Sequence, residues 1–222
     1  MVLLAIDTAT RSLGLALYDG KTLLSEQMWM AGNQHNSLLA PSIQQALSIC
    51  ELTTSDLTAV AVTYGPGSYT GLRIGVAFAK GMAAAAHIPL IGVSTLDVLA
   101  APQPISTKFH LLCVVHAGRG RVIASQYVTK KGKWVVEVAP AITEWEALLS
   151  SLQLPTLLTG ELDEAAFSAI QSANLDHLVI VPPALRSRRP GILAEEAWRR
   201  WHTHKEADYS PDSVMPIYLS AP

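Results

Sequence analysis

Residues 65–75 read Gly65-Pro66-Gly67-Ser68-Tyr69-Thr70-Gly71-Leu72-Arg73-Ile74-Gly75, and they restrict the fold more than any other stretch of the chain. The largely apolar run Leu57–Tyr64 leads into them, and an Ala- and Gly-rich segment reaching about Ala86 leads out. A strand buried on both faces, a tight turn and a helix is the reading that suits these parts. Glycines at 65, 67 and 71 imply positive φ or a close backbone approach. The turn joins a strand to a helix, where free N–H groups and the helix dipole favour an anion. The familiar phosphate loops do not match. No Lys follows the glycines as a P-loop needs, and the third glycine of the dinucleotide spacing would fall on Thr70. A nucleophile elbow fails as well, because Pro66 and Thr70 flank Ser68. A plain tight turn with Thr70 capping the helix stands beside the anion site as the alternative.

The helix that follows carries Gly71, Gly75, Ala79 and Ala83 at i+4 spacing. A stripe of small residues lets another helix approach closely. It serves either dense packing inside one lobe or a helical subunit interface, to which Leu72, Val76 and Met82 would add apolar surface. At the N-terminus, Asp7-Thr8-Ala9-Thr10 ends a first short buried strand, Val2–Ile6. A carboxylate with hydroxyls in a strand–turn–strand hairpin is one way to hold a metal-bound phosphate, although Asp and Thr are also ordinary turn residues.

Around these segments the pattern is α/β. Leu13–Tyr18 and Thr22–Met30 read as a meander across Asp19-Gly20. Leu39, Ile43, Ala46, Leu47 and Cys50 share one helical face, with Pro41 placed in the first turns where it is tolerated. Pro89–Val93 is a strand, and Ser94 and Thr95 can cap a short helix through Ala101. The Pro-rich seam 101–106 is the expected lobe boundary. It divides the chain into an N-terminal lobe, 1–104, and a C-terminal lobe, 105–222, whose last segment is free to pack back on the first. Strand patterns recur at His110–His116, Val122–Val128, Trp134–Val138, Thr156–Leu158 and Leu178–Val181. Helical patterns occur at Glu144–Leu152, Glu164–Ala173 and Ile192–His202. The shared order of strands then helices predicts two related lobes.

Composition narrows the function. Sixteen Lys+Arg against eighteen Asp+Glu give a net charge of −2, without the basic surplus of an autonomous nucleic-acid binder. Any RNA is expected to be held by something else. Cys50 and Cys113 make no disulfide framework. None of the seven histidines has another four residues away, so no helical metal pair exists. Arg186, Arg188 and Arg189 read most simply as a solvated loop, contact with an RNA or acidic partner being the minority reading, and Trp198 and Trp201 as one side of a packed helix before a base-stacking platform. The N-terminus has no basic region or long apolar segment, and GMAAAAHIPLIGV is broken by His87 and Pro89, so a cytoplasmic protein is expected.

Three segments together, IDTAT, QHNSLLAP and GPGSYTGLRIGVAFAKG…IPLIGVSTLDVLA, resemble the TsaB (YeaZ) family, closely over the first hundred residues. The resemblance implies an actin/Hsp70/sugar-kinase-like fold of two mixed-sheet lobes. It also implies a part in making N6-threonylcarbamoyladenosine at position 37 of tRNAs that read codons beginning with A. Members of this kind are the non-catalytic partner of a metal-bearing TsaD-type subunit. A TsaE-type ATPase joins the complex, a TsaC-type enzyme supplies the activated group, and tRNA is met only through the complex. Catalytic relatives carry an H-x-x-x-H pair where this chain has Thr95 and Leu99, so no metal site, no transfer chemistry and no enzyme activity are expected.

On the same basis Leu39, Ile43, Gly71, Leu72, Gly75, Val76, Ala79, Met82 and Ala83 are the expected interface with TsaD or, in isolation, with a second copy. Gly75→Leu is then expected to break partner binding and spare the fold. Asp7, Thr8, Thr10, Gly65, Gly67 and Ser68 are the expected remains of a nucleotide pocket. No cofactor is expected to bind tightly, ATP or ADP being met at a shared interface. Two departures loosen the match in the second half: His116-Ala117-Gly118-Arg119-Gly120-Arg121 replaces an acidic segment, and Ser220 follows Pro216-Ile217-Tyr218-Leu219 where a basic residue is common. Two alternatives stay open, an ATP-dependent phosphotransferase with Asp97 as its candidate base and a scaffold unconnected to tRNA.

Overall fold

Strands with no polar face need cover on both sides, and the first lobe supplies it. A computed structural model describes residues 1–118 and 120–219. Within it β1 (Val2–Asp7), β2 (Ser12–Tyr18), β3 (Leu23–Met30), β4 (Leu57–Gly65) and β5 (Leu90–Ser94) form one sheet in the order β3-β2-β1-β4-β5. β1 pairs antiparallel with β2 and parallel with β4. The period of two divides each strand between two cores. Leu4, Ile6, Leu13, Leu15, Leu17, Val60 and Val62 point to one face, where α1 (His35–Ile49) and α2 (Tyr69–Ala86) close over them. Leu3, Ala5, Ala16, Ala59 and Ala61 point to the other, against Leu193, Ala194 and Ala197 of the chain's last helix, Pro190–Thr203. The alanines on this second face let that helix approach closely.

Separately, β6 (His110–Gly118), β7 (Arg121–Lys130), β8 (Lys133–Thr143), β9 (Thr156–Gly160) and β10 (Leu178–Ile180) form a second sheet in the order β10-β9-β6-β7-β8. Read from β8 its order is 8-7-6-9-10, the pattern of 3-2-1-4-5 in the first. The pairing senses agree as well: β6–β7 and β7–β8 are antiparallel, and β6–β9 and β9–β10 are parallel. Its core joins Leu112, Val114, Val122 and Leu158 to Trp145, Leu148 and Leu149 of the helix Trp145–Ser150 and Ala166 of the helix Glu164–Ala173. These are α4 and α5; α3 is the short helix Thr95–Ala100, and α6 is the last helix.

The compact units differ from the expected lobes. The first is Met1–Val98 with Arg188–Ile217, and the second is Leu99–Ser187 with Tyr218 and Leu219. The expected boundary at 104/105 therefore falls at Val98/Leu99, while Arg188–Ile217, within the last segment left free to pack back, count with the first unit. The physical reason is Gln103, in the middle of the Pro-rich seam. It is buried, and its side-chain amide lies 2.8 Å from the Leu185 carbonyl and 3.1 Å from that of Leu99. A seam fastened this way is part of a core. Pro41 lies in the first turns of its helix, as expected. It sits in the second turn of α1, exposed, and leaves the Ser37 carbonyl without its i+4 donor.

Candidate functional site

Two loops from the sequence reading meet at one end of the first sheet. Asp7 closes β1, and Gly65 closes β4, which lies parallel beside it. Gly65 has φ +122°, and a Cβ there would stand 2.6 Å from the Ile217 carbonyl oxygen, so only glycine fits. Past this turn, Ser68 accepts from the Gly71 N–H at 3.3 Å and caps α2; the expected cap, Thr70, lies exposed inside the helix. The loops are fastened to each other: the Ser68 N–H donates to the Ala9 carbonyl at 2.7 Å, and the Thr8 hydroxyl to the Gly71 carbonyl at 2.8 Å. A Cβ on Gly67 would overlap the Ala9 carbonyl oxygen, and one on Gly71 that of Thr8. The glycines bring backbone against backbone and leave no phosphate-sized gap between these loops.

Asp7 is equally committed. Its Oδ1 accepts from the Ala9 N–H at 2.9 Å and the Thr63 hydroxyl at 3.0 Å. Its Oδ2 accepts from Arg188 Nε at 2.9 Å, and Arg188 Nη2 donates to the Thr10 hydroxyl at 2.6 Å. Asp7 is 2% exposed and Arg188 5%, with Thr8, Thr10 and Thr63 buried around them. The expected solvated loop 186–189 thus requires correction at Arg188. A carboxylate in an apolar strand needs a partner when it is buried, and this chain supplies one from residue 188. Read from the sequence as part of a basic cluster, Arg188 carries no sign of a pairing with Asp7. The signal that could have found it was Asp7 itself, a charge ending a strand otherwise buried on both faces.

These contacts bear on nucleotide. Asp7, Thr8, Thr10, Gly65, Gly67 and Ser68 do come together, as the sequence suggested, but they contact one another. A metal-bound phosphate needs an accessible carboxylate oxygen and free N–H groups; here the carboxylate is buried and paired, and the Ser68 and Gly71 N–H groups are used. The residues do not fit that ligand.

The expected interface is corrected in a second way. Leu39, Ile43, Gly71, Leu72, Gly75, Val76, Ala79 and Ala83 are all buried inside their own lobe, and Met82 alone is half-buried. Gly75 faces the Thr8 side chain, so Gly75→Leu strikes the fold before any partner. The outer side of α2 carries a different small-residue row, Ala77, Gly81 and Ala85, all exposed, with open space where a Gly81 Cβ would be. Ile74, Phe78 and Met82 flank this row, half-buried on the rim of the core. From residue 74 to the end of α2 the one charged side chain is Lys80. It turns toward Met215 Sδ at 3.5 Å and Asp212 at 3.9 Å. Near the helix end a cleft of about 570 Å³ lies between Thr54, Ser55, Leu57, Met82, Ala85, Ala86 and Ile88.

Elsewhere the candidate residues have local roles. Thr95 and Leu99, at the positions of the expected histidine pair, are buried; the Thr95 hydroxyl has no hydrogen-bond partner among the described residues. Asp97 is held by Arg200 Nη2 at 2.8 Å, which occupies the carboxylate a phosphotransferase would need as base. Burial pushes the nearby Tyr64 hydroxyl up, with the Asp97 charge adding to the rise and Arg200 opposing it. In the second unit the His116 ring lies 3.7 Å from the Asp163 carboxylate, and the His116 N–H donates to Glu161. Of the divergent segment 116–121, Arg119 lies outside the described residues, as does Ser220. Among the described residues no helix is long and apolar enough to cross a membrane.

Two mixed sheets of one repeated topology, with helices on both faces of the first, make this an actin/Hsp70/sugar-kinase-like chain. Solved structures agree on the fold. YeaZ from Pseudomonas aeruginosa superimposes with a TM-score of 0.77 at 21% identity, over 98% of this chain and 99% of that one. Component A of the Acidaminococcus fermentans (R)-2-hydroxyglutaryl-CoA dehydratase does so at 0.51 and 11%, over 91% and 100%. The family model for TsaD, tRNA N6-adenosine threonylcarbamoyltransferase, matches residues 29–218. The tRNA threonylcarbamoyladenosine biosynthesis protein TsaB of Bacillus subtilis strain 168 is 34% identical over 166 residues, 72% of this chain and 71% of that protein. The chain belongs to the TsaB family of tRNA threonylcarbamoyladenosine biosynthesis proteins.

Proposed function

We propose that the chain is a non-catalytic subunit in the formation of N6-threonylcarbamoyladenosine at A37 of tRNAs reading codons that begin with A. In this reading it binds and activates a TsaD-type subunit through the outer faces of α1 and α2. In isolation the same surface pairs with a second copy. A TsaE-type ATPase joins the complex, tRNA is held by the complex, and nucleotide is met at a surface shared in it.

The observation that carries the reading is the outer row Ala77, Gly81 and Ala85 with Ile74, Phe78 and Met82 beside it. A glycine in a helix interior costs about 1 kcal/mol against alanine. Nothing inside the chain requires it at 81, where a Cβ would meet open space. Close approach of a second helix explains it. Threonine and leucine at 95 and 99, together with a paired and buried Asp7, support the absence of transfer chemistry from this chain.

Isothermal titration of the chain with the TsaD-type protein of the same source tests the surface. Wild type is expected to bind, and Gly81→Leu to lose binding while unfolding at no lower temperature than wild type. Wild-type affinity in a folded Gly81→Leu chain would remove α2 from the interface.

A further inference from the structure

Beyond the partnership, and independent of it, the buried cluster at the end of β1 has a chemistry of its own. Asp7 stands where a carboxylate followed by hydroxyls could hold a metal-bound phosphate, yet both its oxygens and the Thr8 and Thr10 hydroxyls are engaged within the chain. Its Oδ2 faces a guanidinium, its Oδ1 takes two donors, and the facing turn is fastened through Ser68 and Gly71. We propose that Arg188 is a resident cation. Its guanidinium supplies from the chain the positive charge that a phosphate-bound divalent ion would otherwise bring to Asp7, and so excludes that ligand.

The geometry favours replacement over coexistence. Arg188 reaches both Asp7 and Thr10, the two polar side chains at opposite ends of the Asp7–Thr10 turn, so it spans the turn a cation would occupy. Both ionic side chains are 3% exposed, so the ion pair lies almost wholly out of solvent. A guanidinium is planar, offers donors in a fixed fork and stays charged at any working pH, so the neutralisation is permanent. Because Arg188 lies two residues before α6, the same contact fastens the approach to that helix to β1, some 180 residues earlier in the chain. The first lobe therefore folds around its own cation.

Two measurements on the full chain test the assignment. In the first, wild type is melted in EDTA and in millimolar magnesium with ADP. A ligand that binds only the native state raises the melting temperature by mass action. The expected result is the same melting temperature in both. A rise with magnesium and ADP that Asp7→Asn cancels would overturn the proposal. In the second, melting of Arg188→Met and Asp7→Asn is compared with that of the double variant. Each single change strands one buried charge, so each is expected to lower the melting temperature strongly, and the double variant to melt above the Arg188→Met chain. A double variant that melts lower than both singles, by the sum of their losses, would show that the two charges act independently and would overturn the proposal. Should a single variant not fold, recovery of folding in the double variant supports the assignment, and its failure leaves the wild-type melt to decide.

Discussion

Gly75 and Gly81 lie on one helix, and a single methyl group should have opposite effects at the two positions. At Gly81 the added Cβ enters open space, and the helix gains about 1 kcal/mol from alanine's propensity. At Gly75 the same gain is opposed by two costs. The Cβ overlaps Thr8 Oγ1 and stands 3.3 Å from Thr8 Cβ; Thr8 is fully buried and cannot swing aside. Overpacking of that kind costs about 1–3 kcal/mol. Moving the hydroxyl breaks its 2.8 Å bond to the Gly71 carbonyl, and a buried group left unsatisfied costs about 1–3 kcal/mol. The middle of each range gives a net loss of about 3 kcal/mol for Gly75→Ala, against a gain of about 1 kcal/mol for Gly81→Ala. Urea denaturation followed by circular dichroism, at concentrations low enough to suppress self-association, reads both. A Gly75→Ala chain as stable as wild type, or a less stable Gly81→Ala chain, would refute the assignment of inner and outer faces on α2.

Three other outcomes are expected. Ala77→Glu, on the exposed row of α2, should weaken binding to the TsaD-type partner at least tenfold in titration calorimetry and leave the urea midpoint within error. Glu26 receives the Gly191 N–H at 2.9 Å and pairs with Arg189, serving as the N-terminal cap that α6 lacks from its own Arg189, so Glu26→Ala should cost about 1 kcal/mol in urea denaturation. Asp56 is held below the ordinary aspartate range, first by the Thr53 N–H and then by the Thr53 hydroxyl, and Asp19 and Asp208 by the N–H groups of Thr22 and Ser210. A carboxyl lowered on folding stabilises the chain above its unfolded value and loses that contribution as pH falls through the folded one. The urea midpoint should therefore be insensitive to these groups near neutrality and decline below about pH 4, and less steeply in Asp56→Asn.

Much of the fold was legible because the chain punctuates its elements by local chemistry. α5 begins and ends at the residues expected, Glu164 and Ala173, since Asp163 caps its start at 2.8 Å and Asn174 leaves it in the left-handed region. β1 and β4 were legible as strands buried on both faces because neither carries the alternation of a solvated sheet. Trp198 and Trp201 also pack as expected, edge to face at 5.6 Å beside the second core. The partition of α2 was not legible. Two rows of small residues run along it, 71-75-79-83 and 77-81-85, and periodicity gives both the same spacing. What decides between them is Thr8, 63 positions before Gly71, reached through parallel pairing of β1 with β4. Arg188 was missed for a similar reason: a basic cluster beside a proline looks solvated until the fold places one member against Asp7.

On the proposed function, this chain is needed for the modification without performing the transfer. An omission assay tests it directly. Unmodified tRNA, ATP, threonine, bicarbonate and the other pathway proteins from the same source are combined with and without the chain. The tRNA is then digested and N6-threonylcarbamoyladenosine measured by mass spectrometry. Product is expected only when the chain is present, and none when the chain replaces the TsaD-type subunit. Equal product with and without it, or product from the chain in place of that subunit, would contradict the claim.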